Sequence, residues 1–359
     1  MTSLNRRTMI KIGGAAMALP LLGKAAFAQE KLKVGFVLIG TPDDNGWNFG
    51  HDQGRKFMLE TLGDKVETTV VTNVAEGPDS ERVFRELAQQ GHKLIYATSF
   101  GFGDYVHKVA KQFPDVKFEW ATGNSTAPNV SLYNAKFHEG RAVIGTIAGL
   151  MTKTNVGAYI GSFPIPEVRM GINAFAIAAR KVNPNFKLKV VYVNSWFDPA
   201  KEADAARALI DQGVDVITQH TDGPAALQVA EERGIVGGFG QGADMSAFAP
   251  KSHLTAIIDN WGPHYLKSVQ SVLDGTWAEG SVWDGIASGE VAIGKYNEKI
   301  PADVVAKAEE VKTAIAAGTL HPFAGPINDN TGAEKVAAGD VIDDGEFWAV
   351  DWYAEGVEA

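Results

Sequence analysis

The chain has 359 residues, 45% hydrophobic and 21% charged, with 39 glycines and no cysteine, a profile that excludes disordered, collagenous and coiled-coil chains. A formal net charge of −10 has the wrong sign for wrapping nucleic acid. The missing cysteines remove disulfides, thiolate metal sites, cysteine nucleophiles and any lipid anchor attached through an N-terminal cysteine. The length suggests two domains, each large enough for its own core.

Residues 1–28 are predicted to be an export signal. Arg6 and Arg7 precede a glycine- and alanine-rich apolar run, which ends at Ala26-Phe27-Ala28, a small-x-small cleavage site. The segment resembles a twin-arginine signal, with an ordinary secretory signal as the alternative. It carries four basic residues (Arg6, Arg7, Lys11, Lys24) and no acidic one, so the remainder is more acidic still. A soluble protein, free in the periplasm and without a lipid anchor, is expected.

From residue 33 the pattern alternates. Residues 33–39 (KVGFVLI) form a continuous apolar run, as expected of a parallel strand buried on both faces. Residues 40–46 hold Pro42, Asp43, Asp44 and Asn45, turn and cap residues that open a helix over 47–62. Of the paired carboxylates Asp43 and Asp44, one is expected to cap that helix. Strand-like runs recur at 67–71, 93–97, 117–121 and 129–133, with helix-like stretches at 80–90 and 105–113. After a long helix at 139–151 the rhythm restarts. Strands at 156–160, 188–193, 214–218, 235–239 and 254–258 alternate with helices at 169–182, 201–212 and 225–233. Strands separated by helices imply parallel sheets with right-handed crossovers, and two such sheets make two doubly wound α/β lobes. Further helices are predicted at 261–274 and 301–317. The closing stretch, with Phe347, Trp348, Trp352 and Tyr353, is too aromatic for a solvated tail and should pack on the body.

Catalytic signatures are scarce. Eight histidines make no H-E-x-x-H spacing, and neither a G-x-S-x-G elbow nor a Walker-type loop occurs. The string 238–243 (GFGQGA) superficially resembles a dinucleotide fingerprint but lies at the wrong end of the chain for a first βα unit. No cofactor is expected. What stands out is Trp47-Asn48 after the first strand of one lobe and 195–198 (SWFD) after a strand of the other. Ligands bind at the carboxyl ends of strands in open α/β sheets. Two tryptophans facing across a cleft would sandwich a flat ring, each face adding about 1–3 kcal/mol by analogy with base stacking.

The chain resembles the basic membrane protein (BMP) family, the substrate receptors of ABC importers for purine nucleosides and related ligands. The resemblance spans residues 33–357. It is carried by 44–48 (DNGWN), 99–103 (SFGFG), 113–118 (FPDVKF), 145–149 (GTIAG), 195–200 (SWFDPA), 234–244 (GIVGGFGQGAD) and 352–357 (WYAEGV). It implies a type I periplasmic binding protein: two Rossmann-like lobes joined by a hinge, with ligand trapped by closure. The implied lobes are 31–135 with about 260–288, and 136–259 with about 289–325; residues 326–359 form an extension packed on the body. Relatives that bind nucleosides stack the base between two aromatic residues, and Trp47 and Trp196 fall at those positions. They hold the ribose with an aspartate in a G-V-D-x-D segment and a lysine in an S-V-V-K segment. Here these read 240–244 (GQGAD) and 256–259 (AIID), so Gly242 replaces the aspartate and Asp259 the lysine. The family aspartate that reads the base edge is replaced by Thr122 or Gly123.

These departures favour a free nucleobase, adenine or an oxopurine, over a nucleoside. Asn48, Asp222, Gln241 and Asp259 are the candidate polar contacts to the ring edge, and Phe102 and Thr122 complete the candidate site. The expected partners are the purine and an inner-membrane ABC permease, with the protein a monomer and not an enzyme. A nucleoside receptor of the same class and an exported nucleoside-processing enzyme are the rival readings.

Overall fold

The computed structural model describes residues 30–359, and the predicted export signal at 1–28 lies outside the described residues. Lobe 1 opens with β1 (Leu32–Val37), α1 (Trp47–Leu62), β2 (Val66–Val71), α2 (Pro78–Gln89), β3 (Leu94–Ala97), α3 (Gly103–Ala110), β4 (Lys117–Ala121) and β5 (Val130–Ala135). The chain then crosses into lobe 2 with α4 (Phe137–Met151), β6 (Val156–Gly161), α5 (Pro166–Val182), β7 (Lys187–Tyr192), α6 (Pro199–Asp211), β8 (Val216–Gln219), α7 (Ala225–Arg233), β9 (Gly237–Gly242) and β10 (His253–Asp259). It returns to lobe 1 with α8 (Gly262–Leu273), packed on α1, and β11 (Ser281–Asp284), beside β5. A last crossing brings β12 (Val291–Ile293) and α9 (Ala302–Ala316) to lobe 2.

The first sheet runs β11-β5-β4-β3-β1-β2, all parallel. The second holds β10-β9-β8-β6-β7 in parallel, with β12 antiparallel beside β10. Each lobe therefore reverses its winding beside its own first strand, between β1 and β3 and between β6 and β8. In a doubly wound sheet such a switch point leaves a crevice at the carboxyl ends of the strands.

Local chemistry explains why the helices start where they do. The N-cap of α1, Gly46, has no side chain to offer. The carboxylate of Asp44 substitutes for it, accepting from the backbone N–H groups of Asn48 (2.8 Å) and Phe49 (2.9 Å). α6 starts on Asp198, which accepts from the Lys201 N–H, with Pro199 in the first turn. The glycine-rich string 238–243 proves to be mostly strand β9. A side chain at Gly238 would meet Leu227 at 2.7 Å and the Ile217 carbonyl oxygen at 2.9 Å, so glycine here serves close packing between β8 and α7.

The C-terminal aromatics are structural. Phe347, Ile342 and Val350 bury against Met170 and Ala174 of α5, together with Phe323, Ile327 and Val336. Residues Ile327–Asn328 (β13) and Glu334–Val336 (β14) pair as a short ribbon, and Val357–Glu358 (β15) adds an edge strand to β7. Among the described residues no helix is long and apolar enough to cross a membrane.

Candidate functional site

The two switch points face each other across a cavity of about 360 Å³. Lobe 1 contributes Ile39, Trp47, Ser99, Phe100 and Thr122; lobe 2 contributes Glu167, Trp196, His220, Asp222 and Gln241. Ile39, Ser99, Phe100, Thr122, His220 and Asp222 lie within three residues of the carboxyl end of a strand. A larger groove of about 820 Å³ adjoins it and shares Ile39, Trp196 and Asp222.

Both predicted tryptophans line the cavity, one from each lobe. Trp47 donates its indole N–H to the Thr98 carbonyl (2.6 Å) and packs edge-on against His51 and Trp261, with ring centroids at 4.4 and 5.5 Å. Its polar atom is thereby satisfied, and it offers the cavity an apolar ring. Trp196 sits edge-on to Phe163 at 5.1 Å and donates across the cleft to Glu76 of lobe 1 (3.3 Å). The other oxygen of Glu76 accepts from Ser99 and from the Gly101 N–H. The lobes are in close contact here: Gly46 of lobe 1 runs against the backbone of Asp222, and Gly242 lies against Gly46 and Trp47.

The ionisable and amide groups of the cavity lie on the lobe 2 wall. Asp222 is buried, and its Oδ2 has no hydrogen-bond partner. Burial, then the carboxylates of Asp44, Glu202, Asp259 and Glu76, push its carboxyl well above the usual range. Glu167 accepts from Asn134 of β5 (3.0 Å), yet burial raises it to about 7. His220, bonded through Nδ1 to the Tyr159 hydroxyl (3.1 Å), lies 3.8 Å from Glu167, and burial holds it well below the usual imidazole range. Gln241 turns its carboxamide oxygen to Arg141. Among the described residues no cluster of three His, Cys, Asp or Glu side chains is arranged to hold a metal ion.

Thr122, Asp222 and Gln241 join the tryptophans on the wall, with Thr122 at φ +56° just beyond β4. Three expectations need correction. Phe102 is fully buried in the core of lobe 1, edge-on to Phe84 at 5.5 Å, and the aromatic ring at the cavity is Phe100. Residues 100–102 form a 3-10 turn, which sends these two rings in different directions. Asn48 lies in the outer groove, where its carboxamide clips the loop: Oδ1 accepts from the Gly40 N–H and Nδ2 donates to Asp44. Asp259 ends β10 at a lobe crossing and lines a separate groove beside α1 with Gly242 and Trp261. Its carboxylate has no partner, and burial raises it to about 7 although Arg141 is near.

Ser99, Phe100, His220 and Glu167 were not singled out by the sequence pattern. The first three stand immediately beyond β3 and β8, so the carboxyl-end rule that points to Trp47 reaches them too. Glu167 sits in the first turn of α5, where an acidic residue is unremarkable without tertiary context.

Residues 31–320 match the Bmp family, described as ABC transporter substrate-binding protein, PnrA-like. The chain is 54% identical over 338 residues to a protein of Brucella abortus (strain 2308) named as a purine-binding protein, covering 94% of this chain and 96% of that one. It is 37% identical over 288 residues to a Haloferax volcanii protein provisionally named as an ABC transporter glucose-binding protein, covering 80% and 71%. Among solved structures, an ABC transporter solute-binding protein from Aeropyrum pernix K1 superposes with a TM-score of 0.71 at 19% identity, over 82% of this chain and 94% of that one, a likeness of fold. A two-lobed α/β chain with an interlobe cavity, matched along most of its length, belongs to the Bmp family of ABC transporter substrate-binding proteins.

Proposed function

We propose that this protein captures a purine nucleobase, adenine or an oxopurine, and presents it to the inner-membrane permease of an ABC importer. The observation that carries the reading is the cavity wall. Indoles from opposite lobes, Trp47 and Trp196, bound one small space, and its carboxyl, imidazole and carboxamide groups are gathered on the lobe 2 side. A flat heteroaromatic ring suits that arrangement, since its faces want apolar contact and only its edge wants polar partners. A sugar or a ribose needs donors and acceptors around several hydroxyls. At the two family positions that supply them, Gly242 has no side chain and Asp259 lies off the cavity wall. The name of the Brucella abortus relative supports a purine. Capture works by closure: the liganded, closed form is the one the permease selects, with the protein acting as a periplasmic monomer and the ligand released unchanged.

Calorimetry of adenine, guanine and xanthine beside their nucleosides tests this. The base should bind at least tenfold tighter, about 1.4 kcal/mol. Trp196→Ala should weaken base binding by about 1–3 kcal/mol while the fold survives. Equal or tighter nucleoside binding overturns the nucleobase reading.

A further inference from the structure

Behind the lobe 2 wall, Arg141 of α4 is fully buried. Its guanidinium donates to the Thr218 hydroxyl (2.8 Å), the Gln219 carbonyl (2.8 Å) and the Gln241 side-chain oxygen, and lies over the Tyr159 ring at 5.0 Å. A guanidinium has donors and no acceptor. Gln241 must therefore give Arg141 its oxygen, which turns its NH2 group the other way. Gln241 lines the cavity, is 4% exposed, and its NH2 group makes no hydrogen bond to any described residue. On the same wall stands Asp222, whose Oδ2 also lacks a partner.

We infer that Arg141 is a positioning residue that fixes Gln241 as a donor into the cavity, so that the site selects a ligand presenting a ring nitrogen with a lone pair at that point of the wall, with Asp222 beside it. The inference rests on the nucleobase reading and adds the atoms that are read. Arg141 touches no ligand; it acts through Gln241. An amide free to flip would offer donor or acceptor with little difference in energy, and discrimination between ring N and ring N–H would fade. Held by a buried cation, the amide presents one face, and a ligand with the wrong atom leaves a buried polar group unpaired, the strongest route to selectivity in a small site.

The test is calorimetry with adenine and its 1-deaza, 3-deaza and 7-deaza analogues, each with CH in place of one ring nitrogen. Wild type should bind one analogue at least about tenfold more weakly than adenine. Gln241→Glu keeps the shape and still gives Arg141 an oxygen, but replaces the NH2 with a second acceptor. It should bind adenine about 30-fold more weakly and lose the distinction among the analogues. Arg141→Lys cannot keep all three contacts, and should reduce the adenine-to-analogue ratio below about threefold. A purely structural role would weaken all four ligands alike and leave that ratio intact. If Arg141→Lys does not fold, Gln241→Glu decides alone. Wild type binding all three analogues as it binds adenine, or a penalty that survives in Gln241→Glu, overturns the inference. If none of adenine, guanine and xanthine binds wild type, the purine reading fails separately. The amide is then read directly from deuterium positions in a neutron structure of wild-type protein: Gln241 NH2 toward the cavity upholds the inference, and NH2 toward Arg141 overturns it.

Discussion

Where the two lobes meet, backbone lies against backbone at Gly46, and the smallest addition there should hold them apart. A Cβ at this position would sit far inside contact with the Asp222 carbonyl oxygen, 2.9 Å from its carbonyl carbon and 3.0 Å from its Cα. Carbon atoms pack at about 3.5–4.0 Å, so in Gly46→Ala the lobes must part by roughly 1 Å at this contact. Neither side is a flexible side-chain tip, which puts the cost near the upper end for overpacking, about 3 kcal/mol. Because the clash joins different lobes, it penalises the closed form and spares each lobe's own core. Ligand affinity should fall about 100-fold while the unliganded melting temperature stays near wild type. At a ligand concentration 100 times the wild-type Kd, wild type gains about 2.7 kcal/mol of stability and Gly46→Ala about 0.4, a contrast that thermal denaturation reads directly. Gly77→Ala is the control: a Cβ there meets nothing within 4 Å, and binding should be unchanged. If Gly46→Ala binds adenine within threefold of wild type, the Gly46–Asp222 contact plays no part in closure.

Two further outcomes follow from buried groups. Burial raises Glu167 and Asp259 to about 7 and Glu290 to about 8, so the folded state holds protons that the unfolded chain has already lost. Stability from such groups is complete below the unfolded carboxyl pKa and is lost as pH rises through the folded values. From about pH 7 to 8.5 these three groups together should cost about 2 kcal/mol, more than half of it from Glu290, and Asp222, which burial also raises, adds to the loss. His51, His138 and His220, which burial lowers, are mostly neutral above pH 7 in the unfolded chain as well, so they offset the decline only near its start. Urea melts across this range should show the decline and Glu290→Gln should make it shallower by about 1 kcal/mol; a flat wild-type profile refutes the assignment. Phe102→Ala should cost about 3–5 kcal/mol of stability and leave the affinity of the folded fraction intact, whereas Phe100→Ala should weaken binding and spare the fold. Paired melts and titrations check this, and the reverse pattern would return Phe102 to the site.

Much of the architecture is legible in the chain because it depends on local rules. Continuous apolar runs such as 33–39 become strands buried on both faces. Asp44 caps α1 because it lies just before a helical stretch that lacks its own capping side chain. Trp47 and Trp196 stand out in the sequence because they lie in connections that follow strands of a doubly wound sheet, and both line the interlobe cavity.

Side-chain direction is a different matter. Phe100 and Phe102 have the same chemistry two positions apart, and only the packing of Phe102 on Phe84 decides which ring reaches the cavity. Asn48 has the right chemistry for a ligand but spends it on Gly40 and Asp44. Asp259 stands where the family lysine would, yet the lobe crossing turns it toward another groove. Glu167, His220 and Gln241 come from three separate elements of lobe 2 and share a wall only once its sheet is assembled. Local patterning thus determined element type, sheet class and the placing of an indole from each lobe at the cavity, since these follow from burial and chain connectivity. Which polar atoms point into the cavity was decided by tertiary structure alone, because a buried polar group takes the nearest partner in space, and sequence distance does not encode that partner.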